Sequence, residues 1–238
     1  MARAGSKRRE VPVQGLAISG DLVGSRRVGD RKGFQKLIEG VMLAAGSEFE
    51  SDLIAPPKLT RGIDEFSALL VSPARAFDVL RAINEAIWPH RFRAGFGWGE
   101  VDVGAADRDA ARMDGKAFHR AAAGLERAHL LRVPVGIGFA YVLDDSVVGP
   151  LEALADAHGV IVEGWSKGAA EKIRVRRRVE TAVEVARELG IAHQAASDGI
   201  RKGRFDTLLR IEAAISSLLP RLPEVVDDGK EVKYDRTG

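Results

Sequence analysis

The sequence predicts an α+β protein, a sheet of largely antiparallel strands with helices packed on one face and a helical segment after it. Three observations lead there. Short apolar runs alternate with amphipathic stretches of helical period as far as His158. Two of those runs are separated only by Gly62-Ile63-Asp64, a span that joins antiparallel strands and not parallel ones. Beyond Trp165 no convincing strand follows, and the pattern stays helical.

The first run, Gly15-Leu-Ala-Ile-Ser-Gly20, ends in Asp21 and a loop holding Gly24-Ser25-Arg26-Arg27, so it is a buried strand entering a turn. From Asp30 to Glu50, Phe34, Leu37, Ile38, Val41, Met42 and Ala45 fall at helical spacing and mark an amphipathic helix. Pro56-Pro57 is expected to break the chain before a strand at Lys58–Arg61, whose hairpin partner is Glu65–Val71. Pro73–Trp88 is the second helix, with Phe77, Leu80, Ile83 and Ile87 on one face. Arg91–Val103 is a strand whose Gly95, Gly97 and Gly99 imply close approach of a ligand or a neighbouring strand. Lys116–Leu131, Pro134–Tyr141 and Leu151–His158 add a helix, a strand and a helix. The order β-α-β-β-α-β is the split βαβ, ferredoxin-like plan. It divides the chain into a sheet domain at 1–164, a helical segment at 165–220 and a flexible tail at 221–238.

With 45% hydrophobic and 29% charged residues, the 238-residue chain is globular rather than disordered. Cysteine is absent, which excludes disulfides, thiolate zinc sites and thiol catalysis and suits a cytoplasmic protein. No run approaches the length of a membrane span, and the basic start, Met1–Glu10, lacks the apolar core of a signal peptide. His90, His119, His129, His158 and His193 are scattered without zinc-site spacing. Gly95–Gly99 lacks the Gly-Lys-Ser/Thr ending of a P-loop, and no Gly-x-Ser-x-Gly elbow occurs.

Two acidic positions stand out. Asp21 ends a buried strand, and Asp64-Glu65 lies at the mouth of the hairpin that the split βαβ plan places beside it. Carboxylates with open positions suit Mg²⁺ shared with nucleotide phosphates. The loop after Asp21 leads toward a helix N-terminus and carries Arg26, Arg27, Arg31 and Lys32, which suits an anion. The alternative is that Asp21 caps a helix and Asp64 only turns the hairpin.

Resemblance adds to this. Ile18-Ser-Gly-Asp21-Leu-Val-Gly24-Ser resembles the first metal-binding strand of the nucleotidyl cyclase fold. Arg61-Gly-Ile-Asp64-Glu65-Phe66 resembles the hairpin motif of cyclases and of GGDEF diguanylate cyclases, and Phe92–Glu100 the strand that follows. Together with Met113-Asp-Gly-Lys-Ala-Phe-His119, these motifs look like the SatD family of bacterial proteins, from about Ala17 to the C-terminal helices. The resemblance implies a cyclase-like fold with Asp21, Asp64 and Glu65 as metal ligands. It implies Gly24, Ser25, Arg26, Arg31, Asp114 and His119 as contacts to a nucleotide, whether ATP, GTP or a cyclic nucleotide. Class III cyclases carry an asparagine and an arginine on the helix that here offers His119 and Ala123, so binding is expected rather than efficient cyclisation, the alternative being an active nucleotidyl cyclase. Those cyclases build sites across a dimer, so a homodimer is a further expectation. Ile63 replaces a glycine of the hairpin motif, where a β-branched residue tolerates positive φ poorly.

The helical segment holds eleven Lys/Arg against seven Asp/Glu in residues 165–220, a surplus larger than the +2 of the whole chain. Glu184–Ile200 resembles a helix-turn-helix, with Ala186 at the crossing and Gly190 at the turn. DNA contacts are then expected from Arg176, Arg177, Arg178, Gln194, Ser197, Arg201 and Lys202. The alternative is a helical hairpin that makes a dimer or packs on the sheet, in the latter case burying Ile191, Ile200 and Leu208.

Overall fold

A computed structural model describes residues 12–138 and 145–223. The predicted tail beyond residue 223 lies outside the described residues. Strands β1 (Val13–Leu22), β2 (Leu53–Arg61), β3 (Glu65–Leu70), β4 (Phe92–Val101) and β5 (Val135–Ile137) form one sheet in the order β2-β3-β1-β4-β5. All neighbours are antiparallel except β4 and β5, which run parallel. Helices α1 (Arg31–Glu48) and α2 (Ala76–Ile87) return the chain across the sheet as expected. The molecule is α+β with a mixed five-stranded sheet.

Alternation along the strands sorts the core. Leu16 and Ile18 of β1, Phe66 and Ala68 of β3, and Phe92 and Phe96 of β4 face Ile38, Met42, Leu80 and Ile83 of α1 and α2. The opposite face is not bare, which corrects the expectation of helices on one face. Helix α3 (Lys116–Leu131) covers it, packing Ala117 and Ala121 against Ala17, Leu69 and Val101. The glycines of β4 explain the closeness of that contact. A Cβ at Gly95 would stand 2.0 Å from the Ala121 carbonyl oxygen, and one at Gly97 2.2 Å from that of Ala117. They admit a helix backbone, where the sequence suggested a ligand or a strand.

Pro56-Pro57 does not break the chain but lies inside β2. The strand is at the sheet edge, where a residue lacking N–H is tolerated, and the register shifts between Ala55 and Lys58. Arg108 covers part of that edge by donating to the carbonyls of Leu53 and Ile54. Helix α4 (Asp145–Glu163) is longer than expected and runs through Pro150. The expected strand Pro134–Tyr141 is described only at Val135–Ile137, its last three residues lying outside the described set.

Four helices follow: α5 (Lys167–Arg176), α6 (Ala182–Leu189), α7 (His193–Lys202) and α8 (Phe205–Leu218). They enclose two small cores, one around Trp165, Ile173, Phe205 and Leu208 and one around Val175, Val185 and Ala196. Leu208 is thus buried among helices rather than against the sheet, and Ile191 and Ile200 are half-buried beside the same clusters. Ile215 of α8, with Leu219 and Leu222 beyond it, joins the main core. No helix among the described residues is long and apolar enough to cross a membrane.

Candidate functional site

Near the C-terminal end of β1, Asp21 sits directly opposite Glu65 of β3 on one side and Arg93 of β4 on the other. Directly opposed residues share a face, so Asp21 and Glu65 both project toward α3. The Leu22 amide donates to the Asp64 carbonyl at 2.7 Å, which holds the hairpin mouth against β1. The Asp64 side chain meets Arg31 at the start of α1, 3.7 Å away, instead of following its neighbour toward α3. The positive φ of the hairpin falls on Gly62, at 58°, which leaves Ile63 free to bury its side chain.

The cluster is electrostatically uncomfortable. Burial pushes the Asp21 carboxyl above its ordinary range, His129 opposes that shift, and Glu65 and Asp64 add to it. His129 Nε2 lies 3.4 Å from Asp21 Oδ2, and its Nδ1 is 3.0 Å from Arg93 Nη1. A guanidinium only donates, so Nδ1 accepts from Arg93 and Nε2 presents its proton to Asp21. Asp64 Oδ1 is buried with no hydrogen-bond partner among the described residues. Beside the cluster, a groove of about 470 Å³ runs between the sheet and α3, lined by Ser19, Thr60, Glu65, Ser67, Glu126 and His129. Among the described residues Asp21, Asp64 and Glu65 do not form a group with three ligand atoms at metal-binding spacing, and Asp64 turns to Arg31 while Asp21 and Glu65 face the groove.

The loop after Asp21 lies next to it. Gly24 takes a left-handed turn at φ 70° ahead of the short helical turn Ser25–Arg27. Arg31 Nη1 donates to the Ser25 carbonyl at 3.2 Å and so ties the loop to Asp64. Arg26 is exposed. The N-terminus of α1 is capped from within, because Asp30 accepts from the Gly33 amide.

Asp114 and His119 are not brought to this place. They pair with each other at 3.0 Å around the first turn of α3, while His129 is in its last turn. Ten helical residues separate the two histidines, roughly 15 Å. His129 and Arg93 are the functional candidates that sequence reasoning missed. Arg93 follows from strand register once β1 and β4 are neighbours. His129 had no signal, since its place depends on α3 crossing the glycine-lined face.

In the helical segment, Arg177 is withdrawn from solvent. It donates to Glu85 of α2 and to Glu212 of α8, with contacts of 2.6–3.2 Å. Burial works against its charge, but Glu212 and Glu85 outweigh it and hold the guanidinium protonated more firmly than usual. Among the described residues the group with metal-ligand spacing is Glu85, His158 and Glu212, with ligand atoms within 4.8 Å of one another, and Arg177 supplies the cation between the two carboxylates. Arg176 donates to the Val179 carbonyl and lies over the Phe205 ring, and Arg178 pairs with Glu188. Gln194, Arg201 and Lys202 are exposed on α7, Ser197 is half-exposed and 3.5 Å from His193, and Arg201 pairs with Asp198. Gly190, at φ 63°, turns α6 into α7 across the buried Ala186 and Ala196.

Comparison with known families matches residues 15–172 to the model of the SatD family. No curated protein matches the chain.

Proposed function

The chain belongs to the SatD family, and from that premise we propose that it is a regulatory protein binding a Mg-nucleotide in a ferredoxin-like, nucleotidyl cyclase-like domain and contacting DNA through its C-terminal helices. The direct opposition of the Asp21 and Glu65 carboxylates in the strand register, next to Asp64 at the hairpin mouth, is the observation that carries the nucleotide reading. Asp21, Glu65 and Asp64 would hold the ion, which when bound supplies positive charge to phosphate oxygens. Arg31 and Arg26, on the adjoining loop, supply further charge for the phosphates. The β2-β3-β1-β4 order with its two crossover helices supports the ferredoxin-like assignment. His119 lies a helix length from Asp21, which favours binding over cyclisation.

Calorimetry against ATP, GTP and cyclic dinucleotides, with and without Mg²⁺, tests this. Mg-dependent binding is expected, weakened about tenfold or more in Asp21→Asn, a loss of about 1.4 kcal/mol. No binding by the wild-type protein sinks the proposal, and brisk formation of cyclic product replaces it with an enzyme.

The DNA reading rests on the Gly190 turn between α6 and α7 and on the exposed Gln194, Arg201 and Lys202. Helix α7 would be the base-reading helix, as in a helix-turn-helix. Arg178, Arg201 and Lys202 remain as phosphate contacts, while Arg177 is spent inside the fold. Each phosphate neutralised steepens the fall of log K with log salt by about 0.9, so Arg201→Ala with Lys202→Ala should flatten it. Absence of a gel shift at low salt on genomic fragments retires this half of the proposal.

A further inference from the structure

On the α1–α2 side of the sheet, away from the acidic cluster, α2 and α4 enclose a cavity of about 250 Å³ whose floor is Pro134 and Val135. Its walls are mostly apolar, with Phe77, Leu80 and Trp88 on one side and Ala155 and Val162 on the other. Polar groups gather at two ends. The Arg91–Glu163 ion pair stands at the exposed end, and Arg81, Glu85 and His158 stand at the buried one.

The buried end is incompletely satisfied. Both Glu85 oxygens are taken by Arg177 and Arg81. His158 Nε2 lies 3.0 Å from a Glu212 oxygen, so that nitrogen carries the proton. That leaves Nδ1 as the imidazole nitrogen able to meet a ligand, and Arg81 Nε makes no hydrogen bond among the described residues, although carboxylate oxygens of Asp78 and Glu212 lie 3.8 and 3.9 Å from it. His158 and Arg81 thus stand at the polar end of a mainly apolar space that Asn84 and His90 also line. The charges around them are already matched, Asp78, Glu85 and Glu212 facing Arg75, Arg81 and Arg177. An ionised ligand would add an uncompensated buried charge.

We propose that the α2–α4 cavity is a binding site for a small, uncharged, mainly apolar molecule with one hydrogen-bonding head, a hydroxyl or carboxamide, seated against His158 and Arg81. The size fits a single substituted ring, since an apolar cavity of about 150 Å³ accepts benzene. The residues that meet the head also hold the C-terminal helices, His158 through Glu212 of α8 and Arg81 through Glu85, which pairs with Arg177. Occupancy of the cavity is thus felt at the joint between the sheet and the helical segment.

The test uses the full chain with four probes on one ring: benzamide and benzyl alcohol, uncharged, and benzoate and benzylamine, charged. The uncharged pair should give a saturable change in tryptophan emission and a rise in Tm, and bind at least about tenfold tighter than the charged pair. Ala155→Leu, which fills the cavity, should abolish both signals. Val162→Phe does so from the more exposed wall and serves if Ala155→Leu does not fold. Trp88→Phe should remove most of the emission change and keep the Tm shift. Failure of all four probes overturns the proposal, as does binding that survives both cavity-filling variants. Equal binding of the charged probes overturns the assigned ligand class.

Discussion

Asp21 is built to be unhappy when alone. Its ionised form is disfavoured by burial and by the two acidic neighbours, and His129 compensates only in part. A carboxyl whose folded pKa is raised binds protons more readily folded than unfolded, so its charge opposes folding at pH 7. Asp21→Asn should therefore raise the stability of the ligand-free protein, by up to about 1 kcal/mol, the scale of an exposed charge pair. The same change removes the carboxylate oxygen offered to the ion, so the stabilisation by added Mg-nucleotide should shrink. Urea midpoints of both proteins, with and without Mg-nucleotide, check the two signs together. A destabilised Asp21→Asn that still gains from Mg-nucleotide would point to a capping role instead. Asp21, Asp64 and Glu65 were legible in the sequence because strand ends and hairpin mouths are local. That Asp21 opposes Glu65, while Asp64 meets Arg31, is a matter of pleat that only the register shows.

At the scale of elements, α3 and β4 show why one side of the sheet was missed. The glycines of β4 were visible, but an absent side chain does not say what comes close in its place. Gly97→Ala would set a Cβ 2.2 Å from the Ala117 carbonyl oxygen and 2.2 Å from the Ala121 amide nitrogen. Both are backbone atoms of α3, so the helix must lift off the sheet. The expected cost is about 1–3 kcal/mol or more, as for overpacked cores. Gly40→Ala in α1 is the matched control, since its Cβ meets nothing within 4 Å. It should stabilise the protein by about 0.5–1 kcal/mol by raising helix propensity. Chemical denaturation of the two variants, expected to move in opposite directions, separates close packing from a general intolerance of alanine. Pro56-Pro57 failed as a boundary for a related reason. Proline stops a central strand, but whether a strand is central depends on the other four.

For the whole molecule, the change at Trp165 was legible as a change in charge, which need not be a boundary in packing. Helix α8 sends Ile215 into the core shared by α1, α2 and the sheet, and Arg177 and Glu212 reach Glu85 and His158 across it. The sheet and the helical segment should accordingly unfold in one transition, with tryptophan emission and far-ultraviolet circular dichroism coinciding in urea. Acid should release that joint. Burial alone would raise the Glu212 pKa, but the hydrogen bonds from His158 and Arg177 and the nearby charges of Arg177 and Arg81 bring it down to about 2. His158 donates through Nε2 whether or not its ring is charged, so protonating the imidazole does not break the contact. An unfolded glutamate titrates at about 4.3, so between that value and 2 the unfolded chain binds the extra proton. The stabilisation is complete above about pH 5 and is lost as pH falls toward 2, on the order of 3 kcal/mol. Glu212→Gln should cost about 3–5 kcal/mol at pH 7, because it leaves Arg177 with one buried carboxylate, and should flatten the acid limb. Urea unfolding at pH 7, 5, 4 and 3 measures both effects, and an acid limb as steep in Glu212→Gln as in the unaltered protein would place the acid lability elsewhere.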